Sequence, residues 1–94
     1  AAWGVMDEVE VEVQLRFSPA VAPRVRESVW HHSQQLADTP DGGCELRMRV
    51  GGIREVRSWV LSWGGDVEVL APPALRDEVL AHARRMLAQY MPAS

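Results

Sequence analysis

The chain has 94 residues, 47% of them hydrophobic, with a formal net charge of -3, and it is sized for one small domain around a single core. A lone cysteine excludes an internal disulfide framework and a cysteine-based metal cage. The acidic total argues against autonomous binding to duplex nucleic acid, which leaves a basic footprint.

All ten basic residues are Arg, and Asn is absent. Such a composition follows from a high-G+C genome, or from selection of Arg for bidentate contacts to carboxylate and phosphate. No apolar stretch approaches the roughly 20 residues that cross a bilayer, and no signal-peptide core is present. A cytoplasmic location is therefore expected. The chain begins Ala1-Ala2-Trp3 without an initiator Met, so a fragment of a longer protein is expected. Residues 1–7 read as a linker from a preceding domain, 8–91 as the domain and 92–94 as a tail.

From Glu8 the alternation is strict. Val9, Val11, Val13, Leu15 and Phe17 point one way, and Glu8, Glu10, Glu12, Gln14 and Arg16 the other, the mark of a strand with one buried and one solvated face. Ser18-Pro19 reads as an N-cap followed by Pro at the first helical position. Val21, Ala22, Val25 and Val29 then form the stripe of a helix to about Trp30, with an irregular first turn forced by Pro23. His31-His32-Ser33 breaks it. Residues 34–39 form a weak edge strand, and Pro40-Asp41-Gly42-Gly43 turns the chain. Cys44, Leu46, Met48 and Val50 alternate with Glu45, Arg47 and Arg49 in the partner strand of a hairpin.

Ile53, Val56, Trp59, Val60 and Trp63 recur at helical spacing until Gly64-Gly65, and Val67 and Val69 alternate in a short strand. After Ala71-Pro72-Pro73 a last helix carries Leu75, Val79, Ala83, Met86 and Tyr90 on one face, widened by Leu80 and Leu87. The order is β-α-β-β-α-β-α. Connection rules turn this into an α+β, ferredoxin-like β-α-β-β-α-β two-layer sandwich with an additional C-terminal helix.

One face of such a sheet is open. It is expected to carry Glu10, Glu12, Gln14 and Arg16 beside Glu45, Arg47 and Arg49. These charges either pair across the strands, or Arg47 and Arg49 form an anion-binding or docking patch. Leu61 falls beside Arg54 and Arg57, away from the apolar stripe of its helix, as a partner contact would or as a singly exposed Leu does. An RNA-recognition module needs aromatic residues on its middle strands, and Cys44–Val50 has none. A metal-transport version needs paired cysteines, and an acylphosphatase-like enzyme an Asn beside its Arg. His31-His32 lacks further ligands at metal-site spacing, Cys44 reads as a core residue, and Trp30, Trp59 and Trp63 read as core. No metal, cofactor or catalytic residue is expected.

Three segments, VQLRFSPAVAPRVRESVWHHSQQL, DGGCELRMRVGG and REVRSWVLSWGGDVEVLAPPALRDEV, resemble the C-terminal extension (WCX) of bacterial WYL-domain transcriptional regulators. The likeness runs from about Val9 to Tyr90. Its most specific pieces are Trp59-Val60-Leu61 followed by Trp63-Gly64, and the Val69–Pro73 break. His32 departs from a common Pro. The resemblance implies a parent chain with a winged helix-turn-helix, a WYL domain and this extension last, in which the later domains serve effector sensing and dimer assembly. The chain holds no helix-turn-helix and no Trp-Tyr-Leu tripeptide, so direct operator binding and membrane contact are not expected. A homodimer and an anionic or nucleotide-like effector are. The alternative is a self-contained ACT-like small-molecule binding domain acting through a dimer interface.

Overall fold

A computed structural model describes residues 10–91. Strand β1 (Val11–Phe17) leads into a short helix α1 (Ala22–Glu27), the edge strand β2 (Gln35–Asp38) and its hairpin partner β3 (Cys44–Val50). Helix α2 (Ile53–Leu61), a 3-10 turn at Gly64–Asp66, strand β4 (Val67–Ala71) and the long helix α3 (Pro73–Tyr90) complete it. The four strands form one sheet in the order β2-β3-β1-β4, every neighbour antiparallel. The result is a small α+β domain of one antiparallel sheet and three helices.

Alternation in β1 and β3 decides where the core lies. Their register pairs Val13 with Met48, Leu15 with Leu46 and Phe17 with Cys44, so the buried alternates of both strands share one face. Onto that face α1 lays Ala22 and Val25, α2 lays Val56 and Val60, and α3 lays Leu75, in one contiguous cluster. Opposite, Arg16 stands across from Glu45 and Arg49 across from Glu12. The β1–β4 register shifts between Gln14 and Leu15, which face Ala71 and Val69 and leave Leu70 without a cross-strand partner. The strand expected to begin near Glu8 begins at Val11; Trp3, Glu8 and Val9 lie outside the described residues.

The first helix departs from expectation at both ends. Ser18 does not cap it with its side chain. Its Oγ donates to Asp66 Oδ1 at 2.8 Å, while its carbonyl accepts from Val21 and Ala22. The helix starts at Ala22, which places Pro23 in the first turn, where no intrahelical donor is missed. It ends at Glu27 because Ser28 is extended, with φ -130° and ψ 154°. Val29 is therefore 80% exposed instead of part of the stripe. Trp30 turns back, and its indole Nε1 donates to the Val25 carbonyl at 3.0 Å.

Helix α2 likewise stops two residues before Trp63. Ser58, Trp59 and Val60 carbonyls are satisfied by Ser62 and Trp63 amides, and only Gly64 of the two glycines adopts positive φ, at +61°. In the β2–β3 turn Asp41 Oδ1 accepts from Thr39 Oγ1 and from the Gly43 amide at 2.9 Å. A Cβ on Gly43 would clash with the Phe17 carbonyl oxygen, a contact with backbone that no rotamer relieves.

Two measurements check the turn. Gly43→Ala should lower unfolding stability by roughly 1–3 kcal/mol in denaturant titration, since β1 and β3 must part to admit the methyl. The Thr39 hydroxyl, and then the Gly43 amide, hold Asp41 below its ordinary 3.8. The stability it contributes is complete above 3.8 and is lost as pH falls through the lowered folded-state value. The Gly43 amide resonance, followed by NMR against pH, should therefore titrate with a midpoint below 3.8.

Candidate functional site

The residues singled out in the sequence do not converge. Arg47 and Arg49 extend from the open face of β3, while Arg54, Arg57 and Leu61 belong to α2 on the covered side of the sheet. Cross-strand pairing accounts for much of the open face. Arg16 reaches Glu45 at 3.3 Å and Glu68 at 3.5 Å, and Arg49 reaches Glu10 at 3.5 Å. Both Arg47 and Arg49 line a shallow cleft of about 180 Å³ with Ser33 and Gln35. Among the described residues Arg47 makes no ion pair.

On α2, Arg57 is engaged within the chain: its Nη1 donates to Glu78 of α3 at 2.7 Å. This pair clamps the two helices together. Arg54 is exposed and Leu61 half-buried.

The remaining polar clusters are local clasps. His31 Nδ1 lies 2.8 Å from Ser33 Oγ, which superficially resembles a base beside a nucleophile. The hydroxyl, however, accepts from the Arg49 amide at 2.8 Å and lies 3.2 Å from the Arg49 carbonyl, and the Ser33 amide donates to Nδ1. That arrangement pins the loop before β2 to the end of β3. His31 and His32 stack at 4.3 Å, and no group of three or more His, Cys, Asp or Glu converges among the described residues. Cys44 is fully buried in β3, and burial pushes its thiol pKa up, which keeps it a protonated core residue.

Two features stand out beyond the sequence reading. The first is the far half of α3. Leu75 is buried, and Val79 packs against the core. The same stripe continues through Leu80, Met86, Leu87 and Tyr90, which are 46%, 57%, 56% and 80% exposed. The 18-residue helix spans about 27 Å, and the five residues of β4 beneath it cover only about 17 Å. Those two lengths are readable in the sequence and were the available signal.

The second is an indole cluster. Trp30 stands 5.3 Å from Trp59 and 5.8 Å from Trp63, Trp59 and Trp63 meet edge-on at 5.9 Å, and Phe17 supports both from the sheet at 6.2 and 5.1 Å. A cleft of about 450 Å³ opens beside them, lined also by Arg24, Ser62 and Asp66. Trp30 is thus on a cleft wall and partly exposed, where the sequence placed it in the core. Trp63 Nε1 is buried with no acceptor among the described residues, at a cost of about 1–3 kcal/mol for such a donor.

The described residues thus present open clefts, a partly exposed amphipathic helix and local polar clasps. No described helix is long and apolar enough to cross a membrane. The family model of the WCX domain matches residues 10–87, and the chain belongs to that family, the C-terminal extension of bacterial WYL-domain transcriptional regulators. The solved structure of proteasome accessory factor B/C (PafBC) of Arthrobacter aurescens is similar, with a TM-score of 0.68 and 30% identity. That likeness covers 89% of this chain and 13% of the PafBC chain. No curated protein matches.

The Arg57–Glu78 clamp is testable directly. A double-mutant cycle with Arg57→Ala and Glu78→Ala should return a coupling of about 0.5–1 kcal/mol, given that both side chains are half-exposed, and it should shrink in 1 M salt.

Proposed function

We propose that the chain is the C-terminal regulatory and assembly module of a WYL-type transcriptional regulator, with WYL and helix-turn-helix domains elsewhere in the parent chain. The observation that carries this reading is the apolar stripe of α3, which runs past the sheet into solvent. An exposed apolar stripe of this kind marks a protein–protein contact. A homodimer supplies its occupant: the same stripe on a second copy, crossed antiparallel about a twofold axis, buries both halves at once. A change in that packing, driven by effector, shifts the population of DNA-binding arrangements in the parent. Operator DNA is read by the helix-turn-helix domain, not by this acidic module.

The β2-β3-β1-β4 order, with β1 and β3 central and a helix after each, supports the ferredoxin-like reading of the fold. Both connections pass over the covered face, as a split β-α-β pair requires. Arg47, Arg49, Arg54, Arg57 and Leu61 remain the proposed contacts for an anionic or nucleotide-like effector or for a neighbouring domain, with Arg57 also paired to Glu78 of α3. The ACT-like alternative draws on the exposed edge of β2. That edge is four residues long and bears Asp38 at its end, features that blunt strand-to-strand pairing.

Sedimentation equilibrium of the chain should show a concentration-dependent dimer. Leu87→Glu, which adds charge at an exposed position, should weaken it at least tenfold with an unchanged circular dichroism spectrum. A chain that stays monomeric at every concentration, or a variant that dimerises as well as the parent, would overturn the reading.

A further inference from the structure

We infer that the cleft between the loop after α1 and the end of α2 binds a planar aromatic monocarboxylate of one or two rings. This names a ligand class for a cleft apart from Arg47, Arg49 and Arg54, and its biological use rests on the reading of the module proposed above.

Three independent features of the cleft define the ligand. Its walls are flat. Trp30, from the loop, and Trp59 and Trp63, from the end of α2, are tilted or edge-on to one another at 5.3–5.9 Å. Rings arranged this way leave π faces at which a further aromatic ring can complete a tilted or edge-to-face contact. The cleft of about 450 Å³ falls within the size range of small-molecule sites.

Its rim is cationic. Arg24 stands on the exposed side of α1 with its guanidinium carbon 5.1 Å from the Trp63 ring centroid. Arg16, Arg26, Arg49 and Arg57 each hold a carboxylate, and Arg24 holds none among the described residues. A guanidinium with its fork uncommitted, above an aromatic wall, receives a carboxylate in bidentate fashion.

One of its lining residues carries an unpaired donor. Trp63 Nε1 has no acceptor, whereas Trp30 Nε1 is satisfied by the Val25 carbonyl. A carboxylate held by Arg24 over the Trp63 ring brings an acceptor to this indole, and a small opening of the cleft wall lets it reach the buried Nε1. Asp66 then limits the charge. Its carboxylate is held by Ser18 Oγ at 2.8 Å and lines the same cleft. One ligand charge is balanced by Arg24; the several charges of a nucleotide or polyphosphate meet Asp66 with nothing left to neutralise them.

The test is an NMR titration of the indole Nε1–H resonances of the 94-residue chain, with indole-3-acetate as the probe. The Trp63 Nε1–H signal should move downfield and saturate. Tryptamine, the same ring system with a cationic tail, should give no saturable shift, and AMP should bind at least tenfold more weakly than indole-3-acetate. Arg24→Gln, a change at an exposed position, should weaken indole-3-acetate at least tenfold. Absence of a saturable shift with indole-3-acetate, equal binding of tryptamine, or full affinity in the Arg24→Gln chain would each overturn the inference. A chain that dimerises but ignores the probe overturns this site alone. One that binds the probe as a monomer overturns the assembly reading alone.

Discussion

The register between β1 and β3 is the constraint on which everything else in this domain depends. Because side chains alternate with period two, pairing Leu15 with Leu46 also commits Val13 to Met48 and Phe17 to Cys44. A slip of one residue would send the valines into water and the arginines into the core. The correct register creates a single apolar face, and all three helices must share it. It also strips that face of any ionisable group except the Cys44 thiol, which burial holds protonated. Chemistry, if the domain performs any recognition, is thereby pushed to the helix ends and the loops.

Phe17 shows how the sheet builds the periphery. It is fully buried at the end of β1, and its ring supports Trp59 and Trp63 edge-on. The indoles are consequently half in the core and half on a wall. Helix α2 delivers two of them because it ends at Leu61, letting Trp63 swing into the turn that Gly64 closes at positive φ. The third arrives by a separate route. Trp30 follows a helix cut short at Glu27, and its indole N–H clasps the Val25 carbonyl that the lost turn would have satisfied. Three aromatic groups from two segments thus meet through a backbone interruption in each.

Those interruptions mark the limit of what the residues disclosed in order. Strict alternation over Val11–Phe17 and Cys44–Val50, and helical spacing over Ile53–Val60, were legible because each repeats a local geometry several times. Val29 was misjudged because its spacing from Val21 and Val25 is perfectly helical, and nothing nearby announced that Ser28 would turn extended. Ser18 was misjudged for the opposite reason. Its preference for a helix cap is real, but Asp66, 48 residues further on, offers its hydroxyl a carboxylate. Arg57 pairs with Glu78 of α3, a contact made across two helices that no local spacing announces. Long-range partners of polar groups are set by topology, and no period in the sequence encodes them. The wording of the segments carried the family, which the WCX match over residues 10–87 establishes.

The last helix is supported along only part of its length among the described residues. A helix gains most of its stability from the apolar face it buries, and little from propensity. The first half of α3 satisfies this with Leu75 and Val79, held in place by the Arg57–Glu78 clamp. Beyond Val79 the stripe of Leu80, Met86, Leu87 and Tyr90 has no such support among the described residues. Fully burying a Leu or Met side chain is worth about 1.5–3 kcal/mol. Even partial coverage of these residues on a partner therefore exceeds what the ion pair contributes by several fold. The clamp aims the helix, and in the assembly proposed above apolar burial on a second copy would fix where it docks. A ligand held at the tryptophans, as proposed above, would act on the end of the helix that carries Arg57, the residue paired with Glu78 of α3.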